Sequence, residues 1–415
     1  MQDFLARVQR RTGHVLRELL PRNEQYRPTG IHASSQALAA KPGSGATYSE
    51  VYPAYVSHLS IPAEFNTLRP AYYDPIAARE DVPAAFVLTL PAGRLNVDNR
   101  SSVAIIAQDN HLVGDASLQY AAGSFAMAAA AHNPVLRQRY FQHPVQINGT
   151  VCSLLSGGGA AIGNYYHWLL DSLPRLHLVQ EAGLWDSIDY FLIYDRRHRF
   201  AVESLLELGI RDEQIIDVQQ NAHLCADQLV VTSPVRGGGL HAPEWVGEFM
   251  QQTYLPNVAP AGRPARPFSP FVYVSRRDAA FRRVRNEAEV EAVLAEYGFV
   301  SYALSELSLR EKAALFAGAR VVVGPVGAGL VNILFCAPGT ALVEFLPRNL
   351  VVGDYLDLTS RLHMSHYPLI GRRDEASAQK ATADRQDDLT VDLAALRQAL
   401  RLALPQPERQ PAALA

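Results

Sequence analysis

Three side chains able to move or steer a proton recur at four-residue intervals in residues 163–176, GNYYHWLLDSLPRL: His167, Asp171 and Arg175. Residues four apart share one face of a helix. An otherwise apolar and aromatic helix with this polar stripe suits a cleft, where a base removes a hydroxyl proton and a neighbour orients or tunes it. The same spacing serves equally for a helix-surface ion pair beside a core histidine.

A second stretch, RVVVGPVGAGLVNILFCAPGTALVEF at residues 320–345, reads as strand, glycine turn, helix and strand. Gly327, Ala328 and Gly329 bring backbone N–H groups to a helix N-terminus, a geometry that attracts phosphate. A dinucleotide fingerprint needs a third glycine where this chain has Asn332, although Glu344 closes the following strand where a ribose-binding acid belongs. The turn alone leaves a dinucleotide, another phosphate ligand and plain tight packing open.

A third stretch, YVSRRDAAFRRVRNEAE at residues 273–289, holds Arg276, Arg277, Arg282, Arg283 and Arg285 just after a strand. Guanidinium groups pair bidentately with phosphate oxygens and can neutralise a leaving diphosphate. Nowhere are two aspartates separated by a single residue, so the common metal-holding Asp-x-Asp signature is missing. Leaving-group charge is then expected to fall to arginines and a helix N-terminus, with no metal. His241 lies in the glycine-rich RGGGLHAP segment.

The elements that must position these groups alternate between strand and helix from Val145 onward. VCSLLS, DYFLIYD and DQLVVTS read as strands, and NYYHWLLDSLPRLHLVQEAG and RFAVESLLELG as helical segments. Residues 257–270 carry four prolines and divide the chain. Beyond them FVYVSR, FVSYAL and RVVVG read as strands. Asn286 with Glu289, and Ser308 with Glu311, have N-cap spacing for the helices between. The expected organisation is an N-terminal amphipathic segment and irregular lead-in over 1–80, a first α/β domain at 81–256, a linker at 257–270, a second α/β domain with its closing helix at 271–404, and a tail at 405–415. Two α/β halves joined by such a hinge are the pattern of facing doubly wound domains with ligand between them.

Composition bounds the partners. A chain of 415 residues with formal net charge −3 has no global basic field, so no nucleic-acid partner is expected. Three widely spaced cysteines fit neither a metal knuckle nor a disulfide framework and suit a reducing compartment. With no secretory signal and no long apolar run, a soluble, cytoplasmic protein is expected. The N-terminus interleaves Phe4, Leu5, Val8, Val15, Leu16 and Leu19 with Arg7, Arg10, Arg11 and Arg17. Such a helix either lies peripherally on the inner face of an anionic membrane or packs on its own domain.

The three stretches, in this order and with the proline linker before the last two, resemble glycosyltransferase family 61. The residues that carry the resemblance are Asn164, His167 and Asp171; Ser275, Arg276, Arg283, Asn286 and Glu287; and Gly324, Gly327, Ala328, Gly329, Leu330 and Asn332. It covers roughly residues 145–371. The resemblance implies a GT-B fold, two Rossmann-like domains around a central cleft, and inverting, metal-independent sugar transfer without a cofactor. The donor would be a nucleotide-sugar, with UDP the leading carrier, and the acceptor a glycan or lipid-linked glycan in bacterial capsular or surface polysaccharide synthesis. Arg276, Arg283, the 327–329 turn, Asn332 and Glu344 would then bind the donor. Asp171 or His167 would act as base, with Asn164, Arg175 and His241 on the acceptor side. The family usually has histidine directly before Gly-Ala-Gly, whereas this chain has Val326. That departure keeps a glycan-binding pseudoenzyme in view, and the glycine turn an NAD- or FAD-dependent oxidoreductase.

Overall fold

The computed structural model describes residues 23–62, 65, 77–97, 102–119, 127–237, 239–255, 268–347, 353–373 and 387–404. The N-terminal amphipathic segment, most of the 257–270 linker and the 405–415 tail fall outside them. The described residues form a mixed α/β structure built on two large sheets.

The first sheet draws on β1 (Gly30–His32), β2 (Thr47–Tyr52), β5 (Ala85–Pro91), β6 (Arg94–Asn96), β7 (Ser102–Ile106), β8 (His111–Val113) and β9 (Leu118–Gln119). A separate hairpin pairs β3 (Tyr55–His58) with β4 (Arg79–Val82). The sheet continues through β10 (Val145–Ser153), β11 (Tyr190–Ile193), β12 (Ile215–Asp217) and β13 (His223–Thr232). Its parallel part runs β12-β11-β10-β13, the order of half a dinucleotide-binding fold. Antiparallel β5 and β6 pair with β13 and extend it.

The lead-in expected to be irregular therefore supplies strands. β2 alternates only weakly in burial and is followed at once by Pro53, so its period-2 signal is faint in sequence. It is held by pairing with β5, whose residues are almost all buried.

The second sheet contains β14 (Phe271–Ser275), β15 (Val300–Ala303), β16 (Val321–Pro325), β17 (Ala341–Pro347), β18 (Ser365–Arg373) and β19 (Leu389–Thr390), in the order β15-β14-β16-β17-β18-β19. The first five are parallel throughout. Runs such as Val321-Val322-Val323 and Leu342-Val343 are wholly buried, as strands covered on both faces must be. The order reverses at β14: the chain passes to β15 on one side and returns to β16 on the other. That reversal opens a crevice at the carboxyl ends of β14 and β16.

Helix signals survive with three revisions. The segment after Asn164 is α1 (Tyr165–His167), a π-turn at Trp168–Ser172 and, past Pro174, α2 (Arg175–Glu181). Pro174 has no N–H and its ring crowds the carbonyl four residues back, and the wider turn accommodates it. Ser308 caps α6 (Leu309–Ala317) with a full Ser–Glu box, as its spacing predicts. Asn286, by contrast, makes no side-chain cap on α5 (Glu287–Ala295); its amide exchanges two 2.9 Å hydrogen bonds with the backbone of Val391. The segment after the glycine turn is a 3₁₀ helix, Ala328–Phe335.

Between α2 and α5 lie α3 (Arg199–Glu207) and α4 (Glu244–Tyr254); α7 (Asp354–Arg361) precedes β18 and α8 (Leu393–Ala403) closes the described chain. One buried apolar cluster takes Trp168, Leu170 and Phe249 from the first half and Val272, Leu330 and Phe335 from the second. The Gln251 side-chain amide adds bonds to the carbonyls of Leu334 and Cys336. The two sheets are thus joined through a shared core.

Candidate active site

Asn164 accepts from the N–H of Tyr166 and starts α1. The helical turn then brings His167 and Asp171 together, with Nδ1 2.7 Å from Oδ2. Arg236, on the loop after β13, grips the same carboxylate from the other side: Nε donates to Oδ1 at 2.7 Å and Nη2 to Oδ2 at 2.9 Å. Both members of that pair are buried. Burial pushes the Asp171 carboxyl upward, but Arg236 and then His167 overcome it and hold the group well below its ordinary value.

An ionised carboxylate only accepts, so the proton shared with His167 sits on Nδ1 and the lone pair on Nε2. With both oxygens engaged, Asp171 is a poor base and a good orienter. Among the described residues Nε2 of His167 has no hydrogen-bond partner, and the ring is about one-fifth exposed.

Arg236 also reaches toward Tyr166, whose hydroxyl donates to Asp354 at 2.6 Å at the start of α7. Next along α7, the Tyr355 hydroxyl donates to the carbonyl of Gly327 at 2.5 Å. Tyr165 donates to Asn332. The helix that carries the dyad is therefore bonded to both elements that shape the glycine turn.

A cavity of about 230 Å³ opens at the β14–β16 crevice. Val274, Ser275 and Arg276 line it from the end of β14, and Pro325, Gly327, Ala328 and Gly329 from the end of β16. Tyr165 and Phe200 contribute from the first half, while Asn332 and Lys312 complete the polar wall. Arg276 is the notable group. Its Nη2 donates to the carbonyl of Phe281, while its Nε is buried without a hydrogen-bond partner among the described residues. Burial, then repulsion from Arg282, lowers this guanidinium to about 10. A Cβ at residue 327 would stand 1.8 Å from Arg276 Nη1, so only glycine lets the arginine lie across the turn. Lys312 rests 4.9 Å from the Tyr165 ring centroid, and burial lowers its ammonium as well.

Asn164, His167 and Asp171 do not themselves line this cavity, and the remaining sequence candidates lie elsewhere too. Arg283 is half exposed beside Asp388, 3.8 Å away, and does not line the cavity. Glu344 is wholly buried, 2.9 Å from His366 Nε2, with its other oxygen unpartnered among the described residues. Arg175 is buried and donates to the carbonyl of Asp171 and to Thr232, which fixes the helix and leaves nothing facing a ligand from its Nε. His241 is buried, not exposed, between Ser57 and the carbonyl of Ala77. Val326 is buried too, and its N–H pairs with Phe345.

Sequence reasoning missed Arg236, Lys312 and Asp354. Arg236 opens the same Arg-Gly-Gly-Gly stretch that drew attention to His241, and an arginine beside a glycine-rich turn was the available signal.

Residues 165–343 match the model of the family described as Glycosyltransferase 61. The match spans the dyad helix, the arginine segment and the glycine turn, and it supports a glycosyltransferase. No curated protein matches the chain.

Proposed function

We propose that the chain is an inverting, metal-independent glycosyltransferase of GT-B architecture that moves a sugar from a nucleotide-sugar to a glycan or lipid-linked glycan in surface polysaccharide synthesis. One observation carries the reading: Arg276, a half-buried cation whose buried Nε has no hydrogen-bond partner among the described residues, lies at a switch-point cavity and is held there by the absence of a side chain at Gly327. Such a group calls for an anion, and a diphosphate supplies one. The family match over residues 165–343 supports the transfer chemistry.

In the reaction the acceptor hydroxyl oxygen forms the new bond at the anomeric carbon while the bond from that carbon to the diphosphate oxygen breaks. The hydroxyl proton passes to Nε2 of His167, and Asp171 stabilises the imidazolium that results. The nucleoside diphosphate leaves with its growing charge met by Arg276, Lys312 and the N–H groups that open the 3₁₀ helix at Ala328. Reliance on cations agrees with the missing Asp-x-Asp signature.

Calorimetry with UDP, GDP, CMP, NAD and FAD, with and without EDTA, tests the reading. Chelator-insensitive binding of one nucleotide carrier, lost in Arg276→Ala, is the expected result. Binding only of NAD or FAD would overturn it in favour of an oxidoreductase. Silence across the panel would favour the pseudoenzyme.

A further inference from the structure

The first sheet carries a second group of chemistry-bearing side chains, none of which lines the donor cavity. His32 ends β1, His111 opens β8, and Asp109 lies in the turn before it. β1 and β8 are parallel, with Gly30 opposite His111 and His32 opposite Val113. Because side chains alternate along a strand, His32 and His111 leave the same face as diagonal neighbours. Their ring centroids are 4.9 Å apart. Gly30 makes the room: a Cβ there would sit 2.4 Å from Cδ2 of His111.

One nitrogen from each ring and one carboxylate oxygen of Asp109 lie within 4.8 Å of one another. His111 donates from Nδ1 to the backbone carbonyl of Asp109 at 3.0 Å, which fixes its tautomer and leaves a lone pair on Nε2. His32 Nε2 is 2.9 Å from Asp109 Oδ2, and the Lys41 ammonium is 3.4 Å from the same oxygen. Two imidazoles on adjacent strands and a carboxylate from the turn before the second, with a backbone bond to one ring, form a nitrogen and oxygen donor set of the kind that suits zinc and its neighbours.

We propose that His32, Asp109 and His111 bind a divalent transition ion such as Zn²⁺. The ion replaces the proton shared by His32 and Asp109 and displaces Lys41. It ties the short edge strand β1 to β8, leaving a coordination position for water. Asp109 also borders a cavity of about 240 Å³ formed with Lys41, Gly43 and Ala107, which gives the ion a route in.

The test uses the full chain, stripped with EDTA and exchanged into chelator-free buffer, then titrated with Zn²⁺ and, separately, with Co²⁺ followed by visible absorption. One saturable ion per chain is expected, with a melting temperature that rises with added Zn²⁺. His111→Gln and Asp109→Asn should each weaken binding by at least about tenfold. His32→Gln reads the same site if His111→Gln fails to fold by circular dichroism. Lys41→Ala removes the competing ammonium and should tighten binding. Absence of saturable binding, or binding untouched by the histidine and aspartate substitutions, would overturn the proposal. Neither result bears on nucleotide binding at the other site.

Discussion

The hydroxyl of Tyr165 donates to Oδ1 of Asn332 at 2.8 Å, joining residues 167 positions apart in sequence. Asn332 is fully buried and spends its amide on the carbonyl of Gly329 at 2.7 Å. One asparagine thus fastens the helix that bears the dyad to the turn that shapes the cavity. It also occupies the place where a dinucleotide fingerprint would have glycine, and a side chain with this duty explains why the glycine is absent.

Tyr165→Phe leaves that buried oxygen without its donor while keeping the ring against Phe200 and Lys312. The cost should be about 1–3 kcal/mol, the penalty for an unsatisfied buried polar group. For a chain of 415 residues unfolding as one unit that is a loss of about 1 °C in Tm per kcal/mol. Urea unfolding of the two proteins measures it, and a difference of a few tenths of a kcal/mol would show that the bond contributes nothing.

Asp171 should govern the acid limb of stability. Its folded-state affinity for protons is held below the ordinary 3.8 by Arg236 and His167 against the opposing effect of burial. The unfolded chain therefore binds more protons than the folded one as pH falls, so the pair's stabilisation is fully present above about 3.8 and is lost progressively below it. Asp171→Asn should flatten that limb. Arg236→Met, which strands a buried carboxylate, should cost about 3–5 kcal/mol at neutral pH, and pH-dependent unfolding of the three proteins separates the two effects.

Much of this was legible beforehand, and the failures have a common cause. The His167–Asp171 contact is local, set by helical periodicity, and needed no tertiary information. The Ser308 cap and the apolar runs that make the strands of the second sheet were equally local. Arg236 meets Asp171 from 65 residues away, and nothing in its own neighbourhood encodes that pairing. Arg283 failed to reach the cavity for the converse reason. Arg276 directly follows β14 and stays at its carboxyl end, whereas Arg283 lies seven residues on, where its backbone is bound to Asp388 and Leu389. Strands such as β2 exist because β5 is there to pair with, which no alternation of their own announces.

The division of labour in the dyad predicts unequal kinetic consequences. His167→Ala removes the free nitrogen and should lower kcat by about 10²–10⁴-fold while nucleotide affinity stays unchanged. Asp171→Asn should also lower kcat, because an amide can hold the ring in the wrong tautomer, and should in addition reduce stability. Single-turnover transfer assays beside calorimetry make the comparison. Full activity in His167→Ala would move the base elsewhere.

Gly327 and Arg276 should behave as one unit. The backbone at residue 327 has φ 171°, an extended conformation open to any residue, so alanine brings no backbone strain there. Its Cβ would instead displace the tip of Arg276, 1.8 Å away, and a flexible guanidinium can swing aside without unfolding the chain. Gly327→Ala should therefore keep its melting temperature and lose nucleotide affinity to nearly the extent of Arg276→Ala. Combining the two should add little, giving a coupling of about 1–3 kcal/mol in a double-mutant cycle read by calorimetry. Additive losses would mean that the turn meets the diphosphate through its own N–H groups, independently of the arginine, and that the glycine serves the ligand directly.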